Sequence, residues 1–150
     1  MPTLFVAQPP APYASRQPLV VDASVLAAAV FDENERELAL SWMRGRALAA
    51  PQLVDYEITN IALSKVRSKQ VDTEAAMQSL ALFASLDIER VPIAMDGVFA
   101  LAAQCQLTAY DAAYLWLAAQ LKAPLATFDG RLGEAATAYL SALGSPGSAP

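Results

Sequence analysis

The chain has 150 residues, a length that predicts a single domain. Hydrophobic residues make up 55% of it and charged residues 17%, as expected of a globular protein. The net charge of −5 argues against broad electrostatic binding of nucleic acid, and no apolar run approaches the ~18 residues needed to span a bilayer. Histidine is absent, which excludes the commonest general base and the imidazole ligand of zinc sites, so any chemistry must use carboxylates.

Residues 1–18 contain five prolines and little hydrophobic periodicity, and we expect them to form a disordered arm. This region has neither the basic segment nor the continuous apolar segment of a secretory signal. A lone cysteine, Cys105, excludes a disulfide within the chain and fits a reducing compartment. We therefore expect a cytoplasmic protein without a membrane segment.

Strands and helices alternate in the predicted secondary structure. Short apolar runs predict strands at residues 19–21, 48–50, 88–91 and 124–127. Amphipathic or apolar segments predict helices at residues 25–31, 35–46, 53–69, 72–86, 94–104, 107–121 and 130–143. This alternation is typical of a parallel sheet with helices on both faces. We expect such an α/β domain, with four or five short strands, over residues 19–143, and a flexible tail at residues 144–150.

Capping residues mark the starts of three predicted helices. Ser24 and Asn34 are expected to cap the first and second helices, and Thr108 the helix that carries Asp111 three residues later. That helix has almost no polar face, which indicates packing on both sides. The side chains expected to face the core from the second and fourth helices are Leu38, Leu40, Trp42, Met43, Met77, Leu80, Ala81 and Phe83.

Four acidic residues occupy comparable positions in this predicted domain. Asp22 and Asp129 follow strands, Asp111 lies at a helix start, and Glu57 lies in a helix with apolar flanks. Each alone is explained as a helix cap or a solvated charge. Together they are expected near the edge where parallel strands end, without a basic residue fixed beside each, so they would repel one another. A cation that prefers oxygen ligands, Mg²⁺ or Mn²⁺, would resolve that repulsion.

The segments around these acids carry a resemblance to a known family. They are Val21-Asp22-Ala23-Ser24, Pro51-x-Leu53-x-x-x-Glu57-x-x-Asn60, Thr108-x-Tyr110-Asp111-Ala112-x-Tyr114 and Thr127-x-Asp129-x-Arg131-Leu132. In order and spacing they resemble the PIN-domain ribonucleases of the VapC toxin type. No single segment is specific, but the ordered set covers nearly all of residues 19–135. The resemblance implies a PIN-like three-layer α/β/α sandwich around a central parallel sheet.

The resemblance also implies a site and an activity. The implied catalytic and metal-ligating acids are Asp22, Glu57, Asp111 and Asp129. The implied supporting side chains are Ser24, Asn60, Thr108 and Thr127. The implied activity is Mg²⁺-dependent cleavage of RNA, with Mn²⁺ as a substitute, by a toxin that forms a homodimer and is inhibited by an antitoxin encoded alongside. Two features depart from the family: the proline-rich arm, and a helical pattern after Asp129 where many relatives add a fifth strand.

Basic residues near the acids are candidate phosphate contacts. Arg131, two residues after Asp129, is the best placed, although for each basic residue ordinary surface charge is the competing explanation. Further candidates are Arg44, Arg46, Lys65, Arg67 and Lys69. Apolar residues of the helices at 35–46 and 53–69, among them Trp42 and Met43, exceed the needs of one small core and predict a dimer face.

Two other acidic α/β classes fit the sequence less well. A signalling receiver needs paired acids at the first strand end and a lysine after the last strand, but the chain has only Asp22 there and no lysine beyond Lys122. A phosphatase of the haloacid dehalogenase type needs Asp-x-Asp, and Asp22-Ala23-Ser24 lacks the second acid. A catalytically degenerate PIN domain that only binds a protein partner stays open as the alternative.

Overall fold

The computed structural model describes residue 5 and residues 16–144. Within them lie four strands and seven helices that alternate along the chain as predicted. In chain order they are β1 (Pro18–Val21), α1 (Ala23–Val30), α2 (Arg36–Met43), β2 (Ala47–Pro51), α3 (Val54–Arg67), α4 (Thr73–Ser85), β3 (Ile88–Val91), α5 (Met95–Cys105), α6 (Ala109–Leu121), β4 (Leu125–Ala126) and α7 (Gly130–Leu143).

The four strands form one parallel sheet in the order β3-β2-β1-β4. β1 is central and pairs Leu19 with Leu48 of β2 and Val21 with Ala126 of β4. Its apolar residues Leu19, Val20 and Val21 are at most 1% exposed, because helices cover both faces of the sheet. The predicted α/β/α sandwich is therefore confirmed. The segment after Asp129 is helical, and no fifth strand occurs within residues 16–144.

Helix α6 is a largely buried helix in the middle of the domain. It packs against α5, α7 and three strands, β1, β2 and β4, which confirms the predicted packing on both sides. Thr108 is its N-cap, and the Thr108 hydroxyl accepts a hydrogen bond from the Asp111 N–H at 3.1 Å, as predicted. α5 approaches so closely that a Cβ on Gly97 would lie 2.6 Å from Trp116 Nε1. The middle of α6 is thus fixed by the core, and the Thr108 cap fixes the first turn that carries Asp111.

Two predicted helix caps are wrong. α1 begins directly after β1 with Asp22 as its N-cap, so Ser24 lies inside the first turn and donates its hydroxyl proton to Asp22 instead. α2 begins at Arg36 with Glu35 as its N-cap, and no side chain caps it. The Arg36 N–H is already bonded to the Glu33 carbonyl at 3.0 Å, which leaves no capping role for Asn34.

Some side chains predicted to face the core are exposed instead. They are Leu38, Trp42, Met77 and Ala81. The buried positions of these two helices are Ala39, Met43, Ala76 and Phe83. Because each residue advances about 100° around a helix, the neighbours of an inward residue turn toward its flank. Met43 and Phe83 follow the prediction, and Leu40 and Leu80 are half-buried.

The predicted arm at residues 1–18 and the predicted tail at residues 144–150 lie almost entirely outside the described residues and stay predictions. The described part joins the sheet from Gln17 onward, whose carbonyl accepts the Ala47 N–H at 2.9 Å. None of the described helices is both long enough and apolar enough to cross a bilayer.

Candidate active site

Asp22 lies at the carboxyl end of the central strand and is only 5% exposed. Its N–H donates to the Ala126 carbonyl at 3.0 Å, which extends the pairing of β1 with β4 by one residue. The Asp22 Oδ2 atom accepts hydrogen bonds from Ser24 Oγ at 2.6 Å and from Thr127 Oγ1 at 2.8 Å. These two hydroxyls fix the orientation of the carboxylate, and no described group donates to Oδ1.

The loop after β4 is tied to the same hydroxyls. Thr127 Oγ1 accepts the Asp129 N–H at 3.0 Å, and Ser24 Oγ accepts the Phe128 N–H at 2.9 Å. Asp129 then caps α7, since its Oδ1 atom accepts the Leu132 N–H at 2.8 Å. Each of the two hydroxyls thus donates to Asp22 and accepts from the loop backbone. The loop and the end of β1 form one hydrogen-bonded unit.

Glu57 lies in the first turn of α3 and faces this unit. Burial and then the negative charge of Asp22 raise the pKa of Glu57 from 4.5 to about 7, while the nearby Tyr114 hydroxyl has the opposite, smaller effect. Glu57 Oε1 and the Tyr114 hydroxyl are both buried, and neither meets hydrogen-bond geometry with any described residue. The Tyr114 hydroxyl is close enough to act on Glu57 but is not aligned as a full donor, so this carboxylate is less well stabilised than that of Asp22.

Asp111 connects Glu57 to the β4 side of the site. Burial, followed by the charges of Asp129 and Asp22, raises the pKa of Asp111, and the Thr108 hydroxyl and the Arg131 guanidinium lower it by less. Arg131 does not pair with the acid: its Nη2 atom donates to the Gln106 carbonyl at 2.9 Å.

The described ion pairs all lie outside this group of acids. They are Arg36–Asp32, Lys65–Glu33 and Arg90–Asp55. The carboxylates of Asp22, Glu57, Asp111 and Asp129 therefore repel one another without a paired base.

The structure brings most of the residues of the sequence prediction together. The four acids share one electrostatic neighbourhood, Ser24 and Thr127 contact Asp22, and Thr108 caps the helix of Asp111. Asn60 is the exception, because its side chain is exposed and makes no hydrogen bond with a described residue.

Two residues beside the acids were given no role from the sequence. Tyr114 belongs to a matching segment, but only its full burial next to Glu57 shows that it shapes the site. Phe128 lies between Thr127 and Asp129, and its ring is partly exposed. A single aromatic residue in a loop has no sequence pattern that would predict a role.

The donor chemistry of the acids fits a divalent cation. An unpartnered buried carboxylate oxygen and mutually repelling charges are both relieved by a hard cation with oxygen ligands. No group of three or more Asp, Glu or Cys side chains within the described part of the chain is arranged to hold an ion. Mg²⁺ commonly uses only one or two protein carboxylates and completes its shell with water, and this set of acids fits such a site.

The site thus combines Asp22 and Asp129, which follow strands, with Glu57 and Asp111, which lie in the first turns of helices. The sequence profile of the PIN domain matches residues 19–138, and the chain belongs to the PIN-domain family. Among curated proteins it is similar to Ribonuclease VapC3 of Pyrobaculum aerophilum, with 31% identity over 121 residues that cover 77% of this chain and 92% of the relative. Among solved structures it is similar to the crystal structure of PAE2754 from Pyrobaculum aerophilum, with a TM-score of 0.65 and 27% identity over 85% of this chain and 95% of that one.

Proposed function

We propose that the protein is a Mg²⁺-dependent ribonuclease, the toxin of a type II toxin–antitoxin pair, and that it acts in the cytoplasm. One observation carries this proposal: a PIN domain 31% identical to a VapC ribonuclease gathers four acids that no described basic residue neutralises. Phosphodiester hydrolysis with no histidine in the chain requires another source of an activated water. Carboxylates that hold a divalent ion provide that source.

The residues proposed to hold Mg²⁺, or Mn²⁺ in its place, are Asp22, Glu57, Asp111 and Asp129. When bound, the ion polarises a phosphate oxygen and lowers the pKa of a bound water. Asp22 is proposed to use Oδ1, because its other oxygen is held by Ser24 and Thr127. Glu57, with its pKa raised to about 7, is only partly ionised near neutral pH in the absence of a cation.

Arg131 is proposed to bind a phosphate of the RNA. One guanidinium nitrogen is held by the Gln106 carbonyl, and the group has further N–H donors with a fixed planar geometry. Its charge acts on Asp111, so it lies beside the acids without pairing with them. Asn60 and Thr108 are proposed as supporting residues, Thr108 through the helix cap that places Asp111.

The proposed partners are RNA, a cognate antitoxin and a second copy of the chain. The dimer face is proposed to include Leu38 and Trp42, which are about half exposed and border an apolar groove of about 330 Å³ with Leu125 and Phe128. Met43 cannot contribute as first expected, because it is buried in the core. We propose that residues 19–143 form the PIN domain and that residues 1–18 and 144–150 lie outside it.

Cleavage assays with and without Mg²⁺ test the proposed activity. Total RNA incubated with the full chain and millimolar Mg²⁺ should be cut at defined positions, and an excess of EDTA should stop the cutting. Adding Mn²⁺ to the chelated sample should restore the same fragments.

The alternative is a degenerate PIN domain that only binds a protein. It is favoured by the lack of a preformed three-acid metal site within residues 16–144. RNA that stays intact at every metal concentration, with no change in melting temperature on adding Mn²⁺, would support that alternative over an enzyme.

A further inference from the structure

Tyr114 is the largest fully buried side chain among the described residues. Its hydroxyl oxygen is enclosed by protein, and no described group meets it in full hydrogen-bond geometry. A buried hydroxyl that lacks a full hydrogen bond is unfavourable, whereas a phenylalanine fills nearly the same space without that cost. Packing of the core therefore explains the ring of Tyr114 but not its hydroxyl.

Two groups of different chemistry lie next to this hydroxyl. The first is the Glu57 carboxylate in the first turn of α3, whose Oε1 atom is buried and also lacks a full hydrogen bond. The second is the backbone of Ala23, the first residue of α1. The side chain of the N-cap residue Asp22 accepts no N–H of that helix, so the first N–H groups of α1 are without the usual capping partner. The hydroxyl therefore lies between an acceptor, the carboxylate, and a helix end that offers donors.

The chemistry of these neighbours determines the direction in which the hydroxyl donates. Burial, and then the charge of Glu57, raise the pKa of Tyr114, so the phenol stays protonated and has one proton to donate. An ionised carboxylate can only accept that proton, and a backbone N–H can only donate to the phenol oxygen. The contact with Glu57 raises the pKa of Tyr114 and the contact with the Ala23 backbone lowers it, which are the signs that this direction requires.

Asp22 shows what a hydroxyl does for a carboxylate of this site. Its Oδ2 atom accepts hydrogen bonds from Ser24 and Thr127 at 2.6 and 2.8 Å, so its orientation is fixed before any ligand binds. Within the described residues, Tyr114 is the side chain that acts on Glu57 as a hydrogen-bond donor. Carboxylates that bind metals are themselves held by such groups, and loss of one typically lowers metal affinity about 10–100-fold.

We propose that Tyr114 is a positioning residue that orients the Glu57 carboxylate for a divalent cation by donating its hydroxyl proton to one carboxylate oxygen. The inference rests on the proposed metal-dependent activity and adds a residue to it. Because Tyr114 is 0% exposed, it has no contact with RNA and acts through Glu57. The contact becomes a full hydrogen bond when Glu57 is ionised, since a charged acceptor makes the stronger bond.

Tyr114→Phe removes only the hydroxyl and tests this role through metal affinity. The full chain, stripped of metal with EDTA and then freed of EDTA, is titrated with Mn²⁺ in a calorimeter, and Tyr114→Phe should raise the Kd about tenfold. The melting temperature without metal should stay near that of the wild type, which separates lost positioning from lost folding. Tyr139→Phe, at a half-buried tyrosine on α7, is the matched control and should leave both values unchanged.

Two further measurements show whether the hydroxyl acts through Glu57. In a Glu57→Gln background, Tyr114→Phe should change the Mn²⁺ Kd much less than tenfold, because the group that it positions is gone, whereas in an Asp129→Asn background the tenfold change should persist. In cleavage assays, Tyr114→Phe should need about ten times more Mg²⁺ for half-maximal activity and should reach nearly the wild-type rate when Mg²⁺ is saturating.

The outcomes separate this inference from the proposed function. If the wild type neither binds Mn²⁺ up to millimolar concentration nor cuts RNA, the metal-dependent ribonuclease fails, and the positioning role falls with it. If the wild type does both and Tyr114→Phe has the wild-type Kd for Mn²⁺, only the positioning role is overturned. A tenfold loss of affinity that persists in the Glu57→Gln background would also overturn it, because the hydroxyl would then act on another part of the site.

Discussion

On the strand side of the site, Asp22 Oδ2 accepts two hydrogen bonds, from Ser24 and Thr127. On the helix side, Glu57 Oε1 and the Tyr114 hydroxyl are buried, and the contact between these two side chains falls short of full hydrogen-bond geometry. We call Asp22, Ser24, Thr127 and Asp129 the strand half, and Glu57, Asp111 and Tyr114 the helix half. The strand half is organised before any ligand arrives, whereas the helix half contains the unfavourable contacts that a cation would relieve.

The difference follows from how each half is built. The strand half comes from two adjacent parallel strands whose loops carry small hydroxyl residues, so donors and acceptors meet over short distances. The helix half places acids on the first turns of α3 and α6, beside one another and against the core. Burial raises the free energy of each charge there, as the raised pKa values of Glu57 and Asp111 show.

The largest expected effect is on catalysis, and it should appear in both halves. Asp22→Asn and Asp111→Asn each delete a charge without changing side-chain volume, so each should reduce RNA cleavage by on the order of 10²–10³-fold, while circular dichroism shows a folded protein. Asp87→Asn, at an exposed acid between α4 and β3, is the matched control and should cleave normally. Mg²⁺-dependent cleavage retained by the double variant would contradict the assignment of both acids.

A second test uses thermal stability without substrate and concerns the helix half. In EDTA, Asp111→Asn should melt at or above the wild type, because it removes one of several repelling charges from the helix half. Mn²⁺ at a hundredfold excess over Kd should stabilise the wild type by about 2.7 kcal/mol and the variant by less, so the order of the two melting temperatures should reverse.

Scanning calorimetry with and without Mn²⁺ measures this reversal. A wild-type melting temperature that does not respond to millimolar Mn²⁺ would argue against a metal site. Strong destabilisation of Asp111→Asn in EDTA would instead show that Asp111 acts mainly as a structural residue of the capped helix.

The pH dependence of stability tests the helix half alone. Burial and the charge of Asp22 raise the pKa of Glu57 from 4.5 to about 7, so the folded protein binds this proton more tightly than the unfolded chain does. The stability that the protonated group contributes is fully present below its unfolded pKa and is lost as the pH rises through about 7. In EDTA the melting temperature should therefore fall across this window, and Glu57→Gln should show a smaller fall.

Glu89→Gln is the control for that experiment, since Glu89 is an exposed acid on β3. Its melting curve should follow the wild type at every pH. A wild type and a Glu57→Gln variant with parallel pH profiles would show that Glu57 titrates as an ordinary surface acid.

The sequence predicts the fold well because the local signals agree with it. An apolar strand that ends at Asp22 and a helix without a polar face are patterns of a buried parallel sheet and of the helices packed on it, and both occur as predicted. Inward directions were less predictable: Ala39 rather than Leu38 faces the core, because small residues allow the close approach of α1 and α2. A prediction based on hydrophobicity alone places the larger apolar residue in the core and therefore misses this arrangement.

The four acids were predictable as a set, but the two halves of the site were not. The hydrogen bond from Thr127 to Asp22 joins residues 105 positions apart, and no local pattern specifies it. Serine is a common helix cap, yet in the folded chain the Ser24 hydroxyl donates to Asp22 and accepts the Phe128 N–H. The unpartnered state of Glu57 Oε1 depends on the packing of α3 against α6, which appears only in three dimensions.

The smallest expected effect compares one hydroxyl from each half. Thr127→Val removes a donor to Asp22 and an acceptor for the Asp129 N–H, so it should destabilise the protein by about 1–3 kcal/mol. Tyr114→Phe removes a buried hydroxyl whose contacts with Glu57 and the Ala23 backbone fall short of full hydrogen-bond geometry, so it should change the free energy of unfolding by less than about 0.5 kcal/mol or stabilise the fold. Urea denaturation of both variants in EDTA measures the two values.

The result for Tyr114→Phe decides whether the helix half is truly incomplete in the metal-free protein. A hydroxyl already bonded in solution, to Glu57 or to a buried water, would make its loss destabilising by about 1 kcal/mol or more. In that case the two halves would be equally satisfied without a cation, and relief of unpartnered groups could no longer explain stabilisation by Mn²⁺. Repulsion among the acids would then be the only source of that stabilisation, and Asp111→Asn in EDTA would measure it alone.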